Sequence, residues 1–312
     1  MTNRPTSLGS LPLPPDEQPS IPALSVWPTG QRDPAAQLRD SGCVLGTDAD
    51  TDRIPPAVAA YAIATYTRPG DLVLDPDCGA GTVLTEALHA DRHALGLTTR
   101  NRWWTLARAN VTAAKTAGYW RDGSVLDARP KVLVTIRAAG LVGRVGLVLT
   151  ALRTASRNPG DRTPSPDRDP DSAIAELVAT LSYCEPLLRP GGRFAVVARP
   201  LRDPRGSLID LTTQLLSAAT AAGLAPVDRC LALTAGLRGS RLVTRASLAE
   251  RRAAASAHPI GVPTALTAHH EVLIFRRAYD AELATVVTGI PRLSENGTAQ
   301  FAVACSGGRR AA

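Results

Sequence analysis

The chain has 312 residues, 44 % of them hydrophobic and 4 % aromatic, with 35 Lys and Arg against 28 Asp and Glu, for a net charge of +7. That allows one large α/β domain or two small ones with a core built mostly of Ala, Val and Leu. The basic balance suits a polyanionic partner, or equally a solvated arginine-rich surface. Cys43, Cys78, Cys184, Cys230 and Cys305 are far apart and form no CxxC pair, which argues against a disulfide framework and a zinc site. No signal-peptide pattern opens the chain and no apolar run is long enough to cross a bilayer, so a cytoplasmic protein without membrane contact is expected. Nothing in the sequence specifies an oligomeric state.

In chain order, residues 1–24 are rich in Pro, Ser and Gly without periodicity and are expected to be disordered. A short element is expected at Val26-Trp27, followed by polar loop to residue 52. A helix follows Pro55-Pro56, since proline suits a first helical turn. Strand 72–76 leads into helix 81–90, and His93–Leu97 forms a second strand. A long helix spans 100–118. Residues 124–128 and 144–150 read as the third and fourth strands. Residues 153–171 form a long polar loop dense in Pro and Asp. Helix 172–188, strand 193–198 and helix 208–222 follow. Residues 224–235 and 269–277 look like late strands, paired as an antiparallel hairpin. Between them 236–268 is basic and irregular, with a helical piece at 247–257, and 279–312 is a tail. The alternation predicts a doubly wound α/β sheet with helices on both faces. One domain over 25–278 is expected to hold it.

The stretch LVLDPDCGAGTVLTEA, residues 72–87, carries most of the functional information. An apolar strand ends in Asp75-Pro76. Gly79 and Gly81 let the backbone approach a ligand, and a helix opens at Thr82. In an open α/β sheet such a turn lies at the ligand crevice. The dinucleotide fingerprint would need glycine where Leu84 stands, and a phosphate loop would need Gly-Lys-Ser/Thr; neither is present.

The string Asp-Pro-x-Cys-Gly-x-Gly-Thr resembles the cofactor motif of class I S-adenosylmethionine-dependent methyltransferases. It is most similar to the branch that methylates exocyclic amino groups of nucleic acid bases: N6-adenine and N4-cytosine DNA methylases and guanine-N2 tRNA methylases. The resemblance covers roughly residues 24–277. It implies a Rossmann-like fold with a mostly parallel sheet and an antiparallel C-terminal hairpin. It also implies a cofactor site formed by Asp75, Pro76, Cys78, Gly79, Gly81 and Thr82, with Thr98 and Asp127 at the ends of the next two strands, and no metal.

Three positions depart from that pattern. The family ends its second strand in an acidic residue that accepts from the ribose hydroxyls, where this chain has Thr98. The third-strand Gly-Asp-Ala-Arg reads Leu126-Asp127-Ala128-Arg129. The Asp/Asn/Ser-Pro-Pro-aromatic tetrapeptide after the fourth strand is replaced by Ala151, Leu152, Arg153 and Thr154. In the family its first side chain accepts the amino hydrogens of the target base and its ring stacks on that base. Ala151 cannot accept, Thr154 cannot stack, and Arg153 sets a positive charge near a sulfonium. Asn158-Pro159 offers a displaced acceptor a few residues on.

The expectation is therefore a methyltransferase-fold protein that binds S-adenosylmethionine, weakly, with lost or impaired catalysis. The alternatives are an active DNA or RNA methyltransferase using Asn158, and a non-catalytic nucleic-acid- or partner-binding protein. The arginine-rich stretch 236–252 is the candidate nucleic-acid surface. Trp27 is read as a base-stacking or a packing residue, Trp103 and Trp104 as packing or adenine neighbours, and His269-His270 as structural.

Overall fold

In a computed structural model of the chain, residues 23–136, 140–154, 170–202, 207–246, 248–257 and 265–278 are described. The expected acceptor Asn158-Pro159, most of the 153–171 loop and the tail 279–312 lie outside them, as does the N-terminal segment to residue 22.

An eight-stranded sheet organises the molecule. Its strands are β1 (Val26–Trp27), β2 (Leu72–Asp75), β3 (His93–Thr98), β4 (Gly123–Asp127), β5 (Val145–Ala151), β6 (Leu188–Ala198), β7 (Leu224–Leu233) and β8 (His269–Arg277). In space the order is β1-β7-β8-β6-β5-β2-β3-β4. Strands β2 to β6 run parallel. β8 lies antiparallel to both β6 and β7. This is the doubly wound α/β architecture with an antiparallel C-terminal pair that the sequence predicts.

Alternation along the strands builds two cores, because successive side chains point to opposite faces. Val73, Leu147, Leu149, Val197 and Ile274 pack on one face against helices α2 (Pro56–Tyr66), α3 (Thr82–His89) and α4 (Asn101–Thr116). Leu74, Val148, Val196, Leu273 and Phe275 pack on the other against α5 (Pro170–Cys184) and α6 (Leu211–Ala221). The central strands are apolar on both faces, as a covered parallel sheet requires.

Some expectations need correction. Residues 28–52 are not all loop. Asp33 caps a helix, α1 (Pro34–Asp40), accepting from the Ala36 amide at 2.7 Å with proline in the first turn. Buried Gln37 then ties this segment down, donating to the Thr29 and Arg32 carbonyls and accepting from the Ala57 amide. The fifth strand begins at Leu188 rather than Arg193. Val145 pairs with Leu188 and Leu147 with Arg193, so Arg189–Gly192 bulge out opposite Gly146 alone. Leu208 pairs antiparallel with Arg202 and Ile209 with Leu201, and the helix starts only after Asp210, which accepts from the Thr213 amide.

Candidate functional site

Strands β2, β3, β4, β5 and β6 all end at one rim of the sheet, and the strand order reverses between β2 and β5. Ligands of such sheets bind at that switch point. A cleft of about 300 Å³ opens there. Its walls include Pro76, Asp77, Thr98, Trp103, Thr150 and Ala151, with Asp50, Asp52 and Arg153.

The glycine turn is packed from several sides. The Cys78 amide donates to the Leu97 carbonyl, 2.8 Å, which fastens the turn to β3. Gly96 has no room for a side chain: a Cβ there would lie 2.6 Å from Leu84 and 2.9 Å from Cys78 Sγ. Cys78 is buried and burial raises its thiol pKa, so it acts as a filler. Gly81 opens α3 in the left-handed region, φ 86°, with Ala107 of α4 against it. Buried Asn110 of α4 donates to the Ala80 carbonyl and the Thr47 hydroxyl and accepts from the Val44 amide. It thereby fixes the segment carrying Asp50 against the turn.

Asp50 is the central group that sequence reasoning missed. Its side chain is 3 % exposed and accepts from the Ala80 amide at 2.9 Å. Arg153 reaches it from the end of β5, with Nη1 at 3.1 Å from Asp50 Oδ1. Nη2 donates to the Asp77 carbonyl at 2.9 Å, and Nε makes an ion pair with Asp77 Oδ2 at 3.0 Å. A Cβ on Gly79, φ 50°, would lie 2.0 Å from Asp50 Oδ2 and 2.5 Å from Arg153 Nη2. The space made by this glycine is taken by the protein's own carboxylate and guanidinium. Burial alone would lower the Arg153 pKa; Asp77, Asp50 and Asp75 outweigh it and hold the group charged. The positive charge expected at Arg153 is therefore neutralised inside the site.

The other expected residues divide. Pro76 and Thr98 line the cleft. Asp75 is buried at the end of β2, outside the cleft walls, and accepts from the Asp77 amide at 3.1 Å. Desolvation pushes its carboxyl up to about 7, against the opposing pull of Arg153. The Thr82 hydroxyl points elsewhere, donating to the Ile54 carbonyl at 2.8 Å. Asp127 pairs in register with Thr98, with its side chain exposed. In the altered tetrapeptide, Ala151 lines the cleft, Leu152 is buried in the core, Arg153 turns into the site and Thr154 is half-buried.

The tryptophans separate as well. Trp103, 4 % exposed, lines the cleft. Trp104 donates to the Val125 carbonyl, 3.2 Å, with Arg108 over its ring. Trp27 is fully buried and stacked on Tyr61 with centroids 4.7 Å apart, so it packs and has no face for a base. In the basic stretch, Gly236–Arg238 and Arg241–Val243 form a two-stranded hairpin. A helix, α7 (Leu248–Ala257), follows it. Among the described residues no helix is long and apolar enough to cross a membrane.

One comparison with known proteins, that against family models, agrees with the methylase resemblance. Residues 21–108 match a family model described as DNA methylase. That span runs from β1 to the middle of α4 and includes Asp50 and the glycine turn. No curated protein matches the chain. Among solved structures, TrmN from Thermus thermophilus aligns at 16 % identity and TM-score 0.43, over 77 % of this chain and 53 % of its own. The chain thus spans about half the length of that protein. A SAM-dependent methyltransferase from Agrobacterium tumefaciens aligns at 12 % identity and TM-score 0.42, over 73 % and 63 % of the two chains. A TehB-like SAM-dependent methyltransferase from Corynebacterium glutamicum aligns at 14 % and 0.38, over 78 % and 94 %. At this level of likeness the structures say nothing of activity.

Proposed function

We propose that this chain binds S-adenosylmethionine in the rim cleft and serves a nucleic-acid partner, with methyl transfer lost or impaired. The observation that carries the reading is the Arg153–Asp50 pair over Gly79. The glycine turn that resembles a methylase motif is intact in backbone, but the tetrapeptide position has turned a guanidinium into it.

The remaining residues fit the cofactor. The cleft, at about 300 Å³, is at the lower end of small-molecule sites. The Thr98 hydroxyl and the Trp103 ring would hold the nucleoside. Asp52 and Asp77 on the walls would face the cationic methionine half. Bound there, the cofactor would supply an electrophilic methyl group. What this chain lacks is the other reactant's support: Ala151 has no side-chain acceptor for an amino hydrogen, and the prolines that shape that turn in the related methylases are missing. Thr98 in place of a carboxylate removes a charge-assisted hydrogen bond of about 1.5–3 kcal/mol, roughly ten- to a hundredfold in affinity.

Calorimetry with S-adenosylmethionine and S-adenosylhomocysteine tests the first half of the reading. Micromolar to sub-millimolar binding supports it, and no heat up to millimolar ligand overturns it. A methyl-transfer assay across DNA and RNA tests the second half. Incorporation of labelled methyl groups would show that catalysis survives.

A further inference from the structure

A second, smaller cavity lies on the same rim, on the other side of β6. It has a volume of about 140 Å³; prolines, Val58 and Leu233 form much of its wall, and Thr29, Arg53, Arg199, Thr234 and His270 bring polar groups to it. Its position follows from topology. Thr29 follows β1, Leu233 ends β7 and Arg199 follows β6. The antiparallel strand β8 begins at the same rim with His269-His270.

Three features of this cavity point to a ligand. The first is charge. Arg53 is held by the Asp48 and Asp50 carbonyls at 3.0 and 2.7 Å, and Arg199 donates to the Arg53 carbonyl at 3.3 Å. The carbonyls position these guanidiniums, and the carboxylates of Asp48 and Asp50 near Arg53 and of Asp52 and Asp50 near Arg199 offset part of their charge. Burial lowers the pKa of both, a sign of incomplete compensation. The carboxylate facing Arg199 is Asp52, at 3.9 Å, and it also lines the cofactor cleft. The second is an orphaned atom. His270 is 9 % exposed and its Nδ1 has no hydrogen-bond partner. A buried polar atom without a partner calls for an explanation, and a ligand is one. Burial, then Arg199 and His269, push the imidazole down to about 3. The ring is therefore neutral, with one N–H to offer a ligand without adding charge. The third is size. The volume is well below that of a nucleoside or drug-sized site and suits one compact polar group.

We propose that this cavity is an oxyanion site that takes a phosphate group, with Arg53 and Arg199 supplying charge and His270 a neutral donor. Guanidinium forks suit phosphate oxygens. Asp52 lines the cofactor cleft and faces Arg199 of the cavity at 3.9 Å, so a phosphate bound at Arg199 would lie beside the cleft. Its assignment to the backbone phosphate of a nucleic acid rests on the nucleic-acid reading above. The oxyanion site itself does not.

The test is titration of the full chain with inorganic phosphate at constant ionic strength, read by calorimetry and by the ¹⁵N resonances of the His270 ring. It needs no S-adenosylmethionine, so a chain that fails to bind the cofactor still passes or fails here on its own. Wild type is expected to saturate at millimolar phosphate with a shifted His270 signal. Arg199→Gln should bind roughly tenfold or more weakly, with Arg199→Lys intermediate. His270→Phe removes the donor without removing a charge, should weaken phosphate binding likewise, and stands in if Arg199→Gln does not fold. A single-stranded oligonucleotide identifies the source. Parallel weakening by Arg199→Gln assigns the site to backbone phosphate, whereas loss of phosphate binding alone assigns it to a free phosphate monoester. Absence of saturation in wild type, or wild-type phosphate affinity in both Arg199→Gln and His270→Phe, would overturn the proposal.

Discussion

Arg153 and Asp50, 103 residues apart in the chain, meet at 3.1 Å directly over Gly79. Neither side chain could sit there if residue 79 carried a Cβ. The contact joins two segments that the sequence presents as unrelated: the loop before α2 and the end of β5. It places one guanidinium between two carboxylates, Asp50 and Asp77, at the point where the fold leaves room for a ligand.

Removing Arg153 is expected to cost stability and release the site. Both side chains are largely buried, 18 % and 3 % exposed. Breaking such a pair typically costs about 3–5 kcal/mol because the remaining charge is stranded. Asp50 keeps its Ala80 amide donor, so Arg153→Ala should lose about 3 kcal/mol in urea unfolding. Asp50→Asn in the same chain should restore much of it. The single variant should nevertheless bind S-adenosylhomocysteine more tightly than wild type. Unchanged affinity would show that the guanidinium does not compete with the ligand.

Restoring the missing carboxylate is the complementary change. Thr98 ends β3 on the cleft wall, and its hydroxyl accepts from the Arg100 amide at a long 3.4 Å. Thr98→Glu should tighten cofactor binding by roughly ten- to a hundredfold by calorimetry. If the affinity stays at the wild-type value, the ribose lies elsewhere.

The sheet, its helices and the glycine turn were legible because they are local patterns. LVLD, HALGL and VGLVLT are runs bounded by turn residues, and Gly79 and Gly81 mark backbone that must come close to something. What came close was not legible. Asp50 sits in a run of alternating acids, DADTD, that reads as a solvated loop. Contacts remote in sequence bring that run onto the turn: Asn110 with Val44 and Thr47, and Asp50 itself with Ala80 and Arg153. Thr82 illustrates the converse: its motif position is clear, but its hydroxyl is spent on Ile54. The Asp33-Pro34 pair was a usable cap signal, lost because the helix it opens has only seven residues.

Asp75 makes stability depend on pH. Its carboxyl titrates near 7 in the folded protein, raised by burial from an ordinary value near 3.8. Below about pH 4 both folded and unfolded chains hold the proton. Between about 4 and 7 the unfolded chain releases it while the folded chain keeps it, so stability falls as pH rises through that window and levels off above it. Asp75→Asn removes the titration. Its stability relative to wild type should be near zero at about pH 4 and grow to a few kcal/mol in favour of Asn by about pH 8, by the equivalence of one pKa unit to about 1.4 kcal/mol. Urea midpoints at several pH values across that window measure it. Glu86, also raised to about 7 by burial, gives both proteins a shared slope, so the difference between them is the quantity to read. A flat difference would place the Asp75 carboxyl in an ordinary environment.

The hairpin in the basic stretch offers the last test. Arg238 and Arg241 face each other in register at its tip, both exposed. Like charges directly opposite repel across a strand pair, and a phosphate backbone would relieve that repulsion. Arg245 belongs to a different group: its guanidinium donates to the Gly30 and Gln31 carbonyls and pins the hairpin to the body. Arg238→Glu with Arg241→Glu should therefore weaken nucleic-acid binding and reduce its salt slope by about 2, roughly one unit for each phosphate no longer neutralised. Arg245→Ala should lower the melting temperature and leave the salt slope nearly unchanged. If the double reversal leaves affinity and slope at wild-type values, the repulsion at the hairpin tip is relieved by water alone and the stretch is a solvated surface.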